Sequence, residues 1–272
     1  MASGIGVLGM LITPGSTTLN ECCHGCELGK MQKLPFPKSK TIYHNVGDCL
    51  VSDLVGPMQV DSVGVARFYV LFKDFYSKYK TVYFLKHKSE TADCFLDSVK
   101  TVFTATGRRV HLLRCDGGTE YINNYLKNEL ATLGIQLQTS ATYTPEQNGI
   151  AERDHRSTVE SARSQMHAKD IPLKLWAEAI NYSVYVLNRT ISKSETVTPY
   201  QRWFGKAPDI SNLRVFGSVA HFFIPDVLRQ KLDPKATKGA YVGEHLCLIH
   251  SNRFKSSMEY HLRSETTIVK ID

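Results

Sequence analysis

The order in which hydrophobic periodicity changes along the chain constrains its fold more than any other feature. Residues 49–55, 68–72 and 81–85 are short runs rich in Val, Tyr, Phe and Leu, and each reads as a strand. Gly56-Pro57 stops the first, and residues 73–80 can join the other two as a hairpin. Ala92, Phe95, Leu96, Val99 and Phe103 then recur at helical spacing, with Ser89 as the expected cap and Gly107 as the stop. Residues 110–115 form a fourth strand running into Asp116-Gly117-Gly118. Ile122, Tyr125, Leu126, Leu130 and Leu133 mark a second helix that ends at Gly134, and residues 135–138 a fifth strand. A polar loop leads to a third helix over about residues 150–168. Asp170 is expected to cap a fourth, with the stripe Trp176, Ile180, Val184 and Leu187. The order βββαβαβαα specifies a mixed five-stranded α/β sheet covered by helices.

Composition sets the class of partner. Lys plus Arg total 33 against 26 Asp plus Glu, and the net charge of +7 favours an anionic partner, nucleic acid above all. No apolar run approaches the roughly 20 residues that span a bilayer, so no membrane partner is expected. Residues 4–12 are apolar, but Gly interrupts them and no Lys or Arg precedes them, so a secretory signal is not expected. The seven cysteines are an odd number, and Cys49, Cys94, Cys115 and Cys247 stand singly among apolar residues. That argues against a disulfide framework and for a reducing compartment. Three regions follow: a loop-like N-terminal segment, 1–44; an α/β core, 45–190; and a small basic β-rich C-terminal region, 191–272. The last carries 12 Lys plus Arg against 8 Asp plus Glu.

Three carboxylates occupy places where charge is costly or exposed to a turn. Asp53 interrupts an apolar strand, Asp116 ends another, and Glu152 lies in the first turn of the third helix. Adjacent strands can bring the two aspartates together, with Glu152 delivered opposite. Clustered carboxylates repel one another unless hard cations neutralise them, and Mg²⁺ or Mn²⁺ take oxygen ligands while keeping water positions open. Two such ions suit phosphoryl transfer. Read singly, the same residues are a strand-end charge, a turn former and a favourable charge at a helix N-terminus.

The strings Ser52-Asp53-Leu54-Val55-Gly56-Pro57, Arg114-Cys115-Asp116-Gly117-Gly118-Thr119-Glu120-Tyr121 and Thr144-Pro145-Glu146-Gln147-Asn148-Gly149-Ile150-Ala151-Glu152-Arg153 resemble retroelement integrases, specifically the copia-type retrotransposon branch. Between Asp116 and Glu152 lie 35 residues, the D,D-35-E spacing of that family. Leu187-Asn188-Arg189-Thr190, Thr198-Pro199-Tyr200, Leu213-Arg214-Val215-Phe216-Gly217 and Leu232-Asp233-Pro234-Lys235 are similar to it as well. The resemblance implies an RNase H-like fold and a metal-dependent polynucleotidyl transferase core. Asp53, Asp116 and Glu152 would bind two Mg²⁺ or Mn²⁺ ions and carry catalysis. Gln147 and Asn148 would touch DNA beside the site, and Arg156 and Arg163, on the helix of Glu152, would meet phosphates. It also implies element-end and target DNA as partners, a homo-oligomer as the active form, and action in the nucleus after cytoplasmic assembly.

The family pattern breaks in three places. Integrases carry a His-His-Cys-Cys zinc unit before the core; here Cys23 and Cys26 match its second half and no histidine precedes Cys22. A structural zinc needs four ligands, so zinc binding by this chain alone is not expected. Gly117 and His155 both stand where the family usually has Asn. Beyond Gly243 the resemblance fades. The expected activity is strand transfer of element 3′ ends into target DNA. The rival readings are an integrase-derived DNA-binding protein without activity and a ribonuclease H-type nuclease.

Overall fold

The structure, a computed structural model, describes Leu28, Gly29 and residues 41–118, 121, 123–139, 149–192, 195–224, 226–243, 245–248, 262–263 and 268–271. Two compact units divide the chain, Met1–Thr41 and Ile42–Asp272. In the first, Leu28 and Gly29 are helical; Cys23 and Cys26 lie outside the described residues.

The second unit is built on a mixed sheet whose element order follows the periodicity. Strands β1 (Leu50–Val55), β2 (Phe68–Asp74) and β3 (Lys80–Leu85) pair antiparallel, and β4 (Leu112–Cys115) and β5 (Gln136–Thr139) join parallel, giving the order β3-β2-β1-β4-β5. Helix α1 (Thr91–Thr106) separates β3 from β4, and α2 (Asn124–Leu133) separates β4 from β5. Helices α3 (Gly149–Ala168) and α4 (Trp176–Arg189) follow. This is an RNase H-like sheet flanked by helices.

Alternation along the strands sorts side chains onto two faces. One face carries Leu50, Val70, Phe72, Leu85, Leu113 and Cys115, all buried against Phe95 and Val102 of α1 and Leu126 and Leu130 of α2. The other buries Tyr69 against Ala162 and Met166 of α3 and Trp176, Ala179 and Ile180 of α4. The buried stripe of α3 runs through His155, Thr158, Ala162 and Met166, steps of three and four residues that keep one helix face on the sheet.

Several ends differ from the sequence reading. Ser89 does not cap α1; it lies within a 3₁₀ turn, Lys88–Glu90, and Glu90 is the N-cap. Asp170 does not cap α4 either. Its φ is +49°, a left-handed turn residue, and a 3₁₀ turn, Leu173–Leu175, leads into Trp176. Asn123 caps α2 by accepting from the Leu126 amide at 2.7 Å. Helix α5 (Pro199–Phe204) was not anticipated, although Thr198-Pro199 spells its start: Thr198 accepts from the Gln201 amide and Pro199 occupies the first turn. Trp203 of α5 stacks on Tyr79 at 4.7 Å and belongs to the first core.

Residues beyond α5 form a second sheet. Its strands are β6 (Val219–Phe223), β7 (Ala236–Val242), β8 (His245–Leu248), β9 (Leu262–Arg263) and β10 (Ile268–Ile271), in the order β10-β6-β7-β8-β9. Residues 244–272, which carry no family pattern, therefore supply three of these strands.

Candidate active site

The register of β1 on β4 decides where the aspartates sit. Leu50 pairs with Leu113 and Val51 with Arg114; continued two residues past these pairs, the same register would align Asp53 with Asp116. Both share the sheet face of Val51 and Arg114, because side chains two apart point the same way. Asp53 lies inside β1, opposite Leu71 of β2, and Asp116 follows the last residue of β4. Asp116 Oδ1 accepts from the Gly118 amide at 3.3 Å, the turn contact expected of an Asp before glycines. On the opposite face, the hydroxyls of Ser52 and Tyr121 lie 2.5 Å apart, both fully buried, and tie the strand beneath Asp53 to the segment after Asp116.

Helix α3 crosses this face and brings His155 to Asp53. His155 Nε2 lies 3.3 Å from Asp53 Oδ2, without hydrogen-bond alignment, and Nδ1 lies 3.1 Å from the Tyr69 hydroxyl. Burial holds the imidazole down to about 4, so it is neutral at pH 7. In the tautomer that suits both neighbours, the Tyr69 O–H donates to Nδ1 and Nε2–H faces the carboxylate. Burial, then the charge of Asp53, pushes the Tyr69 phenol well up, which keeps that donor protonated.

Beside His155, Asp154 anchors the helix to β2 and β3. Its Oδ2 accepts from Lys73 Nζ at 2.5 Å and its Oδ1 lies 2.9 Å from Lys80 Nζ, with all three side chains largely buried. Burial pushes the Asp154 carboxyl up, but Lys73 and Lys80 outweigh it and hold it below the usual carboxylate value. Burial pulls the Lys73 ammonium down, only partly offset by Asp154. None of these three residues, nor Tyr69, stood out in the sequence. Lys73 and Lys80 read as hairpin charges, and only the antiparallel pairing of Lys73 with Lys80 puts them on the Asp154 side.

Glu152 lies one turn before His155, in the first turn of α3, and is exposed. The β1–β4 register thus puts Asp53 and Asp116 on one sheet face, and α3, which carries Glu152, packs on that face at Asp53 through His155. Among the described residues no three His, Cys, Asp or Glu side chains converge closely enough to hold a metal. Arg156 and Arg163 are exposed on α3. Gln147 and Asn148 lie outside the described residues. The donors on this face are carboxylate oxygens next to a neutral imidazole, a set that fits a hard divalent cation such as Mg²⁺ or Mn²⁺ rather than a thiophilic metal.

No protein-family model matches the chain. The retrovirus-related Pol polyprotein from transposon TNT 1-94 of Nicotiana tabacum is 32% identical over 234 residues, 86% of this chain and 18% of that protein. The corresponding polyprotein from transposon RE2 of Arabidopsis thaliana is 31% identical over 225 residues, 82% of this chain and 15% of that protein. The chain therefore spans less than a fifth of the length of these relatives. Among solved structures, a chain of the simian T-cell lymphotropic virus intasome in complex with the PP2A regulatory subunit B56 gamma superposes with a TM-score of 0.54 at 14% identity, covering 85% of this chain and 82% of that one. Over most of its length the chain is homologous to the retrovirus-related Pol polyproteins of copia-type transposons, and its fold is the RNase H-like fold of integrase cores.

Proposed function

We propose that the chain is an integrase core that joins the 3′ ends of element DNA to target DNA. The observation that supports this reading is the parallel pairing of β1, which carries Asp53, with β4, which Asp116 directly follows, on a sheet face that α3, the helix of Glu152, meets at Asp53. Asp53 and Asp116 would hold a divalent pair, and Glu152 would close the ligand set from the first turn of α3. The bound ions supply charge to stabilise the attacking and leaving oxygens. In strand transfer the 3′-hydroxyl oxygen forms a bond to a target phosphorus, the P–O3′ bond of the target breaks, and the target strand leaves with a 3′-hydroxyl. The chain's own residues do the holding: Ser52 and Tyr121 fix β1 from below, His155 faces Asp53 from above, and Asp154 sets the helix against the sheet. DNA is the partner in this reading, with Gln147, Asn148, Arg156 and Arg163 on its path. The active form is a homo-oligomer working in the nucleus, and zinc has no role in this segment.

A second reading, a DNA-binding derivative without activity, is favoured by His155 and Gly117 in place of the family's asparagines. One assay separates the two. Wild-type chain is incubated with a short duplex carrying a recessed 3′ end and a target duplex in Mn²⁺, and branched product is followed on a denaturing gel. Product that vanishes with Asp53→Asn supports the integrase reading. Tight DNA binding with no product from wild type supports the second.

A further inference from the structure

The cations on the active-site face of the sheet fall into two groups. Over β1 to β3 that face is covered by α3 and α4, and its two lysines, Lys73 and Lys80, are committed to Asp154. Over β4 and β5 the same face carries Leu112, packed with Tyr43 and Phe75, and, among the described residues, the exposed Gln136 and Gln138. Arg114, opposite Gln138 in the β4–β5 register, is the basic residue that stands there. Its side chain is fixed in one plane. Nε donates to Gln138 Oε1 at 3.0 Å, Nη2 donates to the Tyr43 hydroxyl at 3.0 Å, and the guanidinium lies 5.9 Å from the centre of the Phe75 ring. Among the described residues no carboxylate lies within ion-pair distance of Arg114.

An arginine braced on neutral partners keeps its full charge and has already lost the rotamer freedom that binding would otherwise cost. Arg114 precedes Asp116 by two residues on the same face, about 6.6 Å along the strand. That is close to one nucleotide step of a DNA backbone. A DNA strand running along β4 with one phosphate at Asp53 and Asp116 would carry its next phosphate over Arg114.

We propose that Arg114, held by Tyr43 and Gln138, is a phosphate seat that receives the DNA backbone one step from the reacting phosphate. The proposal rests on the integrase reading for where DNA lies, and its binding test is independent of catalysis. Affinity of the full chain for a short duplex with recessed 3′-dideoxy ends is measured by fluorescence anisotropy across a KCl series at fixed Mn²⁺, where no 3′-hydroxyl is available for transfer. Neutralising one phosphate contact removes about 0.9 from the slope of log affinity against log salt. Arg114→Gln is expected to flatten the slope by that amount. Arg114→Lys is expected to keep the slope and bind more weakly, because the charge remains while the planar fork is lost. An Arg114→Gln slope equal to wild type overturns the seat. So does an Arg114→Lys slope as flat as that of Arg114→Gln, since the loss would then follow from altered structure rather than charge. A wild-type chain that fails to transfer strands while showing the slope difference sinks the catalytic reading and leaves the seat standing.

Discussion

Replacing Asp154 by asparagine preserves the side chain's size and removes the charge that Lys73 and Lys80 share. Their side chains are 13% and 10% exposed, so two ammonium groups would be left largely out of water with a neutral amide between them. Breaking a buried ion pair by removing one partner costs about 3–5 kcal/mol. In a domain of this size each kcal/mol moves the melting temperature by roughly 2–4 °C, so the expected fall is about 6–20 °C. The sign against pH follows from the depressed Asp154 carboxyl. A group whose folded value lies below its unfolded value of about 3.9 contributes stability above that value and loses it as pH falls through the folded one. Wild type should therefore lose this contribution on acidification below about pH 4, and Asp154→Asn should lack that part of the acid dependence, so the gap between the two should narrow there. A companion variant, Lys73→Met/Lys80→Met/Asp154→Leu, should melt near or above wild type, because apolar replacement of a buried ionic cluster is often neutral or stabilising. The assay is thermal unfolding followed by circular dichroism at pH 7 and across the acid range. A drop of under about 1 kcal/mol for Asp154→Asn, the size of an exposed pair, would refute the argument that this cluster is buried and anchors α3.

Three further outcomes follow from the same contacts. Asn188 donates to the Lys80 carbonyl at 2.8 Å and accepts from the Lys80 amide at 2.9 Å, closing the edge of β3, so Asn188→Ala should cost about 2–3 kcal/mol in urea unfolding. Tyr121→Phe removes the hydroxyl partner of Ser52 in the core and should cost about 1–3 kcal/mol by the same measurement. Tyr69→Phe removes the donor that orients His155 toward Asp53. It should raise the Mn²⁺ concentration needed for half-maximal binding by roughly 10–100-fold with little change in far-UV spectrum, and an unchanged Mn²⁺ titration would discard that role.

The sheet was legible in the sequence because its strands and helices switch period at clear stops. Gly107 and Gly134 end α1 and α2 where the pattern placed them, both in the left-handed conformation that glycine adopts freely. Helix starts were less legible. Ser89 and Asp170 have cap chemistry, but a 3₁₀ turn occupies the first position and a left-handed turn the second. Asp53 and Asp116 were found from spacing and motif, while their alignment needed the β1–β4 register. Tyr69, Lys73, Lys80 and Asp154 carried no local signal, since each contributes through a partner between 74 and 86 residues away or across a hairpin. Trp203 shows the same limit. The region from residue 191 read as a basic appendage, yet this side chain packs in the first core through a stack on Tyr79 that composition does not reveal.

In the integrase reading Asp53 and Asp116 act as one hard-cation site, which Glu152 completes from α3. That site is tested most directly by a crystal of the full chain grown with Mn²⁺ and measured for anomalous scattering. A peak is expected about 2.0–2.2 Å from a carboxylate oxygen of each aspartate, lost in Asp116→Asn crystals grown the same way. A peak that avoids either aspartate, or one that persists unchanged in Asp116→Asn, would contradict it.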